Sequence, residues 1–155
     1  MADRPVIGVH VRHGNGEGRY RNHFHNREIQ GFVGFIESLV DKIRRCAAGR
    51  FGRNYTVFLC TDSDEVVSAM KSSFDSLVSR QIWRPPPGDG IDFDHAYKRT
   101  DGGEQAAVDA LVDIQLLAKC DMVLMTRVTA FASHVPYIRE KPGAVFLNHK
   151  QTARI

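Results

Sequence analysis

The sequence predicts an α/β fold: a Rossmann-like open parallel sheet of about five strands with helices on both faces. Three observations support this. Short, apolar, β-branched runs alternate with segments of helical periodicity along the chain. The runs are nearly continuous in hydrophobicity, as strands buried on both faces require. The first of them, opening at Val6, passes through His10, Arg12 and His13 into Gly14-Asn15-Gly16, a sequence suited to a sharp turn. It therefore delivers cations to the carboxyl edge of a sheet, where open α/β sheets take their ligands. Right-handed crossovers then favour the strand order 3-2-1-4-5.

Each element follows from local pattern. Phe32, Phe35, Ile36, Leu39, Val40 and Ile43 form the stripe of an amphipathic helix over 32–46, ended by the segment 49–54. A second strand occupies 55–60. In Thr61-Asp62-Ser63-Asp64-Glu65 a Ser or Asp can cap a helix over 65–74, with acidic residues favourable in its first turn. A weaker strand over 77–83 is broken by Pro85-Pro86-Pro87-Gly88, and a polar loop runs on to Gly103. The next helix starts within 101–104 and turns Ala107, Ala110, Leu111, Ile114, Leu117 and Ala118 to the core. A fourth strand over 122–125 turns through Thr126-Arg127-Val128-Thr129 into a helix over 130–138. Pro136 should bend or shorten that helix, because it lacks an N–H and crowds the Ala132 carbonyl. A fifth strand covers 144–147.

Size and composition bound the function. The 155 residues suit one domain spanning 1–155, and 43% hydrophobic with 25% charged residues is globular. A net charge of +3 does not argue for nucleic acid. Nine arginines stand against five carboxylates in the first 53 residues, a bias suited to forked recognition of phosphate or carboxylate. Three widely spaced cysteines, with no C-x-x-C, argue against a disulfide framework or a zinc site. Cys60 and Cys120 read as small core hydrophobes. A reducing, cytoplasmic setting fits, with no signal peptide and no apolar run of bilayer length. His23 and His25 flank Phe24 and read as loop residues before metal ligands.

Strands one and four are neighbours in the expected order, which brings Arg12, His13 and Asn15 near Thr126 to Phe131. A helix N-terminus there offers unpaired backbone N–H groups, with Thr129 as its cap. With the Arg12 guanidinium it could hold a diphosphate without a metal. The structural alternative is that Thr129 only caps its helix and Arg12 pairs with a carboxylate. Asp113 lies at the margin of its helix's apolar stripe. It could accept two parallel N–H bonds, the pattern of a guanine Watson–Crick edge, or simply be solvated.

Residues 9–17 (Val-His-Val-Arg-His-Gly-Asn-Gly-Glu), 57–63 (Val-Phe-Leu-Cys-Thr-Asp-Ser), 110–121 (Ala-Leu-Val-Asp-Ile-Gln-Leu-Leu-Ala-Lys-Cys-Asp) and 129–131 (Thr-Ala-Phe) run in order. Together they resemble the three sugar-nucleotide motifs of the α1,6/O-fucosyltransferase superfamily, most of all its NodZ-type nodulation fucosyltransferases. The resemblance implies the C-terminal, nucleotide-binding half of a two-domain GT-B fold, with no counterpart of the acceptor-binding half. It implies that Arg12 binds the β-phosphate and stabilises the departing GDP. By the same resemblance His10 and Asp113 face guanine, and Thr61 with Asp62 lines the donor pocket. Thr129 and Ala130, followed by Phe131, match the phosphate-binding turn. His13 stands where most of the superfamily has a second arginine, as NodZ-type members do, and Asn15 follows it in the loop. The implied reaction is inverting transfer of fucose from GDP-fucose to a glycan acceptor of chitin-oligosaccharide type, with no divalent ion. Glu17 is the nearest candidate for the general base.

Two other readings compete. Val-Arg-His-Gly after a first strand also resembles the histidine phosphatase superfamily, with His13 as nucleophile, Arg12 as phosphate clamp and His134 as second histidine. Val135 follows His134 where that family expects glycine. The third reading is a non-catalytic GDP-binding module.

Overall fold

In the computed structural model β1 (Val6–Val11) is the central strand of a five-stranded parallel sheet. Residues 4–13, 31–82, 103–126, 129–140 and 144–146 are described. The sheet comprises β1, β2 (Thr56–Thr61), β3 (Leu77–Ser79), β4 (Met122–Met125) and β5 (Ala144–Phe146), in the order β3-β2-β1-β4-β5. This is the order that right-handed crossovers predict. Val9 stands opposite Leu59 on one side and Leu124 on the other.

Alternation along β1 sorts the two layers. Ile7, Val9 and Val11 face α1 (Gly31–Phe51) and α2 (Asp64–Lys71), packing with Ile36, Leu39, Ile43, Val66 and Met70. The opposite face holds α3 (Gly103–Lys119) and α4 (Ala130–Ile138), through Leu117, Ala132 and Val135 against Phe58, Cys60, Val123 and Met125. Gly8 lies on this second face because nothing larger fits. A Cβ there would meet Leu117 Cδ2 at 2.8 Å and Cys120 Sγ at 3.0 Å. Cys60 and Cys120 are buried and unbridged, in keeping with their apolar surroundings.

Several boundaries differ from expectation. α1 runs on to Phe51, through Gly49, because Ala47 and Phe51 continue its buried stripe, and it stops at Gly52 with φ +62°. α2 ends at Lys71 with Ser72 as C-cap, and Phe74 turns to meet Tyr55 edge-on at 6.5 Å. β3 has only three residues, because Arg80 leaves the strand to meet acidic groups on α3.

The largest correction is the rotation of α3. Its buried face carries Ala106, Asp109, Asp113, Leu117 and Ala118, whereas Leu111, assigned to the core, is 64% exposed. Apolar Val108, Val112 and Leu116 share that outward side. Pro136 sits inside α4, which still spans 130–138 as expected. Just beyond it, the Arg139 guanidinium donates to the carbonyls of Leu117, Ala118 and Cys120 at 3.3, 3.4 and 2.9 Å. The first two are last-turn acceptors of α3 and the third follows directly after it, so one cation covers a helix C-terminus. Among the described residues, no helix is long and apolar enough to cross a membrane.

Candidate functional site

The site lies where β1, β2 and β4 end together. The Arg12 backbone N–H donates to Thr126 Oγ1 at 3.4 Å, and the Thr126 N–H donates to the His10 carbonyl at 3.0 Å. These bonds hold the ends of β1 and β4 side by side. On the other flank, Asp62 follows β2 and receives two donors from the end of β1. Its Oδ2 lies 2.5 Å from an Arg12 guanidinium nitrogen, and its Oδ1 accepts the His13 backbone N–H at 2.8 Å. Thr61, the last residue of β2, is buried, and its Oγ1 accepts the Ser63 N–H at 3.3 Å.

Side chains at the end of β1 and just beyond it keep to the strand's alternation. His13 turns towards α1, with its ring 5.1 Å from Phe32 and its Nδ1 3.1 Å from Ser63 Oγ. Ser63 also caps α2, accepting from the Val66 N–H. His10 lies on the α3/α4 face, buried, its ring stacked on Phe131 at 4.7 Å and 21°. Its Nδ1 is buried with no hydrogen-bond partner among the described residues. Burial pushes the His10 pKa down from 6.5 to about 4; the Asp62 charge opposes that shift and Arg12 adds to it. The imidazole is therefore neutral at physiological pH, with one ring nitrogen still unsatisfied.

His10 pairs in register with Cys60 on β2. Burial, and then the charge of the nearby Asp113 carboxylate, raises the pKa of the Cys60 thiol well above 9.0. Asp113 therefore stands on the same face of the sheet as His10 and Phe131. Its Oδ1 accepts from one nitrogen of Arg80 at 2.8 Å, while the other Arg80 nitrogen donates to Asp109 Oδ1, also at 2.8 Å. On the β4 side, Thr129 caps α4: its Oγ1 accepts the Ala132 N–H at 3.0 Å. Ala130 opens that helix.

The structure thus brings together Arg12, Thr61, Asp62 and Thr126 at one edge, and His10, Asp113 and Phe131 on one face beside it. Both structural alternatives are realised: Arg12 is ion-paired to Asp62, and Thr129 is a helix cap. Asp113 is neither marginal nor solvated but buried and paired. Asn15, Glu17, the glycines at 14 and 16, His23, His25 and the loop after Ile82 lie outside the described residues. The sequence reading missed Arg80 and Asp109. Their signal was present: two aspartates four residues apart on one helix, and an arginine at a strand's carboxyl end. The phosphatase alternative is not favoured, because His13 is buried on the α1 face while His134 is exposed on α4, across the sheet.

A five-stranded, doubly wound sheet with cationic and anionic side chains gathered at the carboxyl ends of its central strands defines a class, the open α/β ligand-binding domains. Within that class the comparison is specific. The family profile for nodulation protein Z (NodZ) matches residues 1–147, and the chain belongs to the NodZ family. It is 32% identical over 132 residues to nodulation protein Z of Azorhizobium caulinodans, covering 84% of this chain and 38% of that relative. It is 31% identical over 121 residues to nodulation protein Z of Bradyrhizobium diazoefficiens, covering 77% of this chain and 30% of that one. The chain therefore spans about a third of the length of these relatives. A structure of NodZ α-1,6-fucosyltransferase co-crystallised with GDP superposes with a TM-score of 0.56 and 22% identity, over 89% of this chain and 37% of that one. A second, soaked with GDP-fucose, gives 0.55 and 23%, over 90% of this chain and 37% of that one. These superpositions support the fold.

Proposed function

We propose that this chain binds GDP-fucose as the donor-nucleotide portion of a metal-independent, inverting fucosyltransferase of GT-B architecture. Its acceptor would be a glycan of chitin-oligosaccharide type and its setting the cytoplasm. The observation that carries the reading is the convergence of two unlike groups of residues at one sheet edge. A neutral, unsatisfied His10 and the Asp113 carboxylate share a face lined by Phe131, while Arg12 stands two residues beyond His10 at the end of the same strand.

The chemistry suits a nucleoside diphosphate. A carboxylate can accept the N1–H and 2-amino protons of guanine in parallel, and a neutral imidazole can donate to or accept from the same base. Arg12 supplies a forked cation for the β-phosphate. The α4 N-terminus adds backbone amides and the positive end of a helix dipole. As the bond to fucose breaks, negative charge grows on GDP, and groups already aimed at that charge lower the barrier without reorganising. This is the work a divalent ion performs in other transferases. The His13 backbone bond to Asp62 fixes the chain at the end of β1, and Thr61 and Asp62 wall the site on the β2 side. Asn15 and Glu17 complete the proposal as a donor contact and the acceptor's general base.

Calorimetry tests it. GDP should bind measurably and more tightly than ADP or UDP, and Arg12→Ala should weaken GDP by about ten- to a hundredfold, the value of a charged hydrogen bond. Equal affinity for ADP would remove the guanine assignment. A GDP-fucose turnover assay with added chitin oligosaccharide separates a transferase from a module that only binds.

A further inference from the structure

Arg80 belongs to no motif in the chain, yet it forms ion pairs with two buried carboxylates of α3. It leaves the carboxyl end of β3 and inserts between two aspartates one turn apart on α3. Its two terminal nitrogens separate the work: one donates to Asp109 Oδ1 at 2.8 Å, the other to Asp113 Oδ1 at 2.8 Å and to the Asp109 carbonyl at 3.1 Å. The carboxylates are almost fully enclosed, with side chains 8% and 6% exposed, while Arg80 is 27% exposed. Two carboxylates at i, i+4 repel each other, and burial worsens the repulsion. The arrangement is stable only with the guanidinium between them.

We infer that Arg80 is the positioning residue of the base site, holding the Asp113 carboxylate in one orientation so that it can discriminate guanine from other bases. The inference rests on the proposed role of Asp113. Asp113 carries about four lone-pair sites, so the oxygen that accepts from Arg80 keeps acceptor capacity for a ligand N–H. A held carboxylate presents that capacity in a fixed plane, which parallel recognition of N1–H and the 2-amino group requires. Cys60, in register with His10, lies close enough to the same carboxylate to feel its charge, which puts Asp113 on His10's face of the sheet. Arg80 itself comes from a different element and fixes α3 to the sheet edge. Lysine could not substitute, because a single ammonium group is a point charge and lacks the planar fork that spans both partners.

The test compares GDP, IDP and inorganic pyrophosphate by calorimetry on the wild type, Arg80→Lys and Arg80→Met. IDP lacks only the 2-amino group, so the GDP/IDP ratio reads one arm of the Asp113 contact. The wild type should prefer GDP by roughly tenfold or more, the value of one hydrogen bond to a charged acceptor. Both variants should lose most of that preference while keeping pyrophosphate affinity within about twofold, since the diphosphate contacts lie on β1 and α4. Arg80→Met leaves two buried carboxylates without a cation and can unfold the protein; Arg80→Lys keeps the charge, and thermal melting verifies that it is folded. A folded Arg80→Lys with the wild-type GDP/IDP ratio would overturn the inference and leave the donor reading standing. An equal loss for all three ligands would also overturn it, by showing a general structural effect. A wild type that binds GDP and IDP alike would bring down the Asp113 assignment and the inference together.

Discussion

The Arg12 guanidinium lies 2.5 Å from the Asp62 carboxylate, and the same carboxylate receives the His13 backbone N–H at 2.8 Å. Asp62 thus sets both the direction of the cation and the path of the chain as it leaves β1. With side chains 19% and 12% exposed, this pair is largely shielded from solvent screening.

Removing the carboxylate should therefore be felt in stability. Asp62→Ala leaves a backbone donor and a guanidinium without their acceptor and should cost about 1–3 kcal/mol. Asp62→Asn should recover part of the loss, because its amide oxygen still accepts the His13 N–H. Urea denaturation measures both, and an Asp62→Ala protein as stable as the wild type would refute the structural role.

Gly8 leaves no room for a side chain against α3. Gly8→Ala places a methyl 2.8 Å from Leu117 Cδ2 and 3.0 Å from Cys120 Sγ, in a layer with both neighbours buried. The expected cost is about 1–3 kcal/mol from overpacking. The same denaturation curves report it, and an unchanged midpoint would show that α3 can yield.

The buried His10 ties stability to pH. Its folded pKa of about 4 lies below the unfolded value near 6.5, so between these values the unfolded state binds the extra proton. Stability contributed by His10 is full above about pH 6.5 and falls as the pH drops through that window. On the order of 2 kcal/mol should be lost by pH 5. Comparison with His10→Gln isolates the effect: the variant should lose less stability between pH 7.5 and pH 5, and parallel profiles would contradict the assignment.

Thr129 caps α4 through a single 3.0 Å bond to the Ala132 N–H. Thr129→Ala should lower stability by about 1 kcal/mol, with Thr129→Ser restoring it. A thermal melt distinguishes the two.

Much of this architecture was legible beforehand. The strand order, the succession of helices, a Ser or Asp cap before α2 and the Thr129 cap follow from hydrophobic period, crossover handedness and local capping chemistry, whereas the ends of α1 and α2 did not. The neighbouring ends of β1 and β4, which bring Thr126 to His10 and Arg12, follow from the crossover rule alone. The setting of α3 did not follow. Ala, Val and Leu occur around its whole circumference, so a count of apolar positions placed Leu111 inwards. The structure turns Asp109 and Asp113 inwards because Arg80, from a separate strand, neutralises both. Arg12 could be read as a cation for a ligand or as the partner of a carboxylate; that its partner is Asp62, fifty positions away, only the tertiary structure decided.

The division has a physical origin. Hydrophobic burial sums over surface and needs no particular partner, so the chain's own periodicities established the layers, the parallel sheet and the edge at which polar groups gather. A buried charge is tolerated only beside a specific opposite charge or donor. Which aspartate meets which arginine, and which imidazole nitrogen is left without one, was decided only when β1, β2, β3 and α3 came together in space.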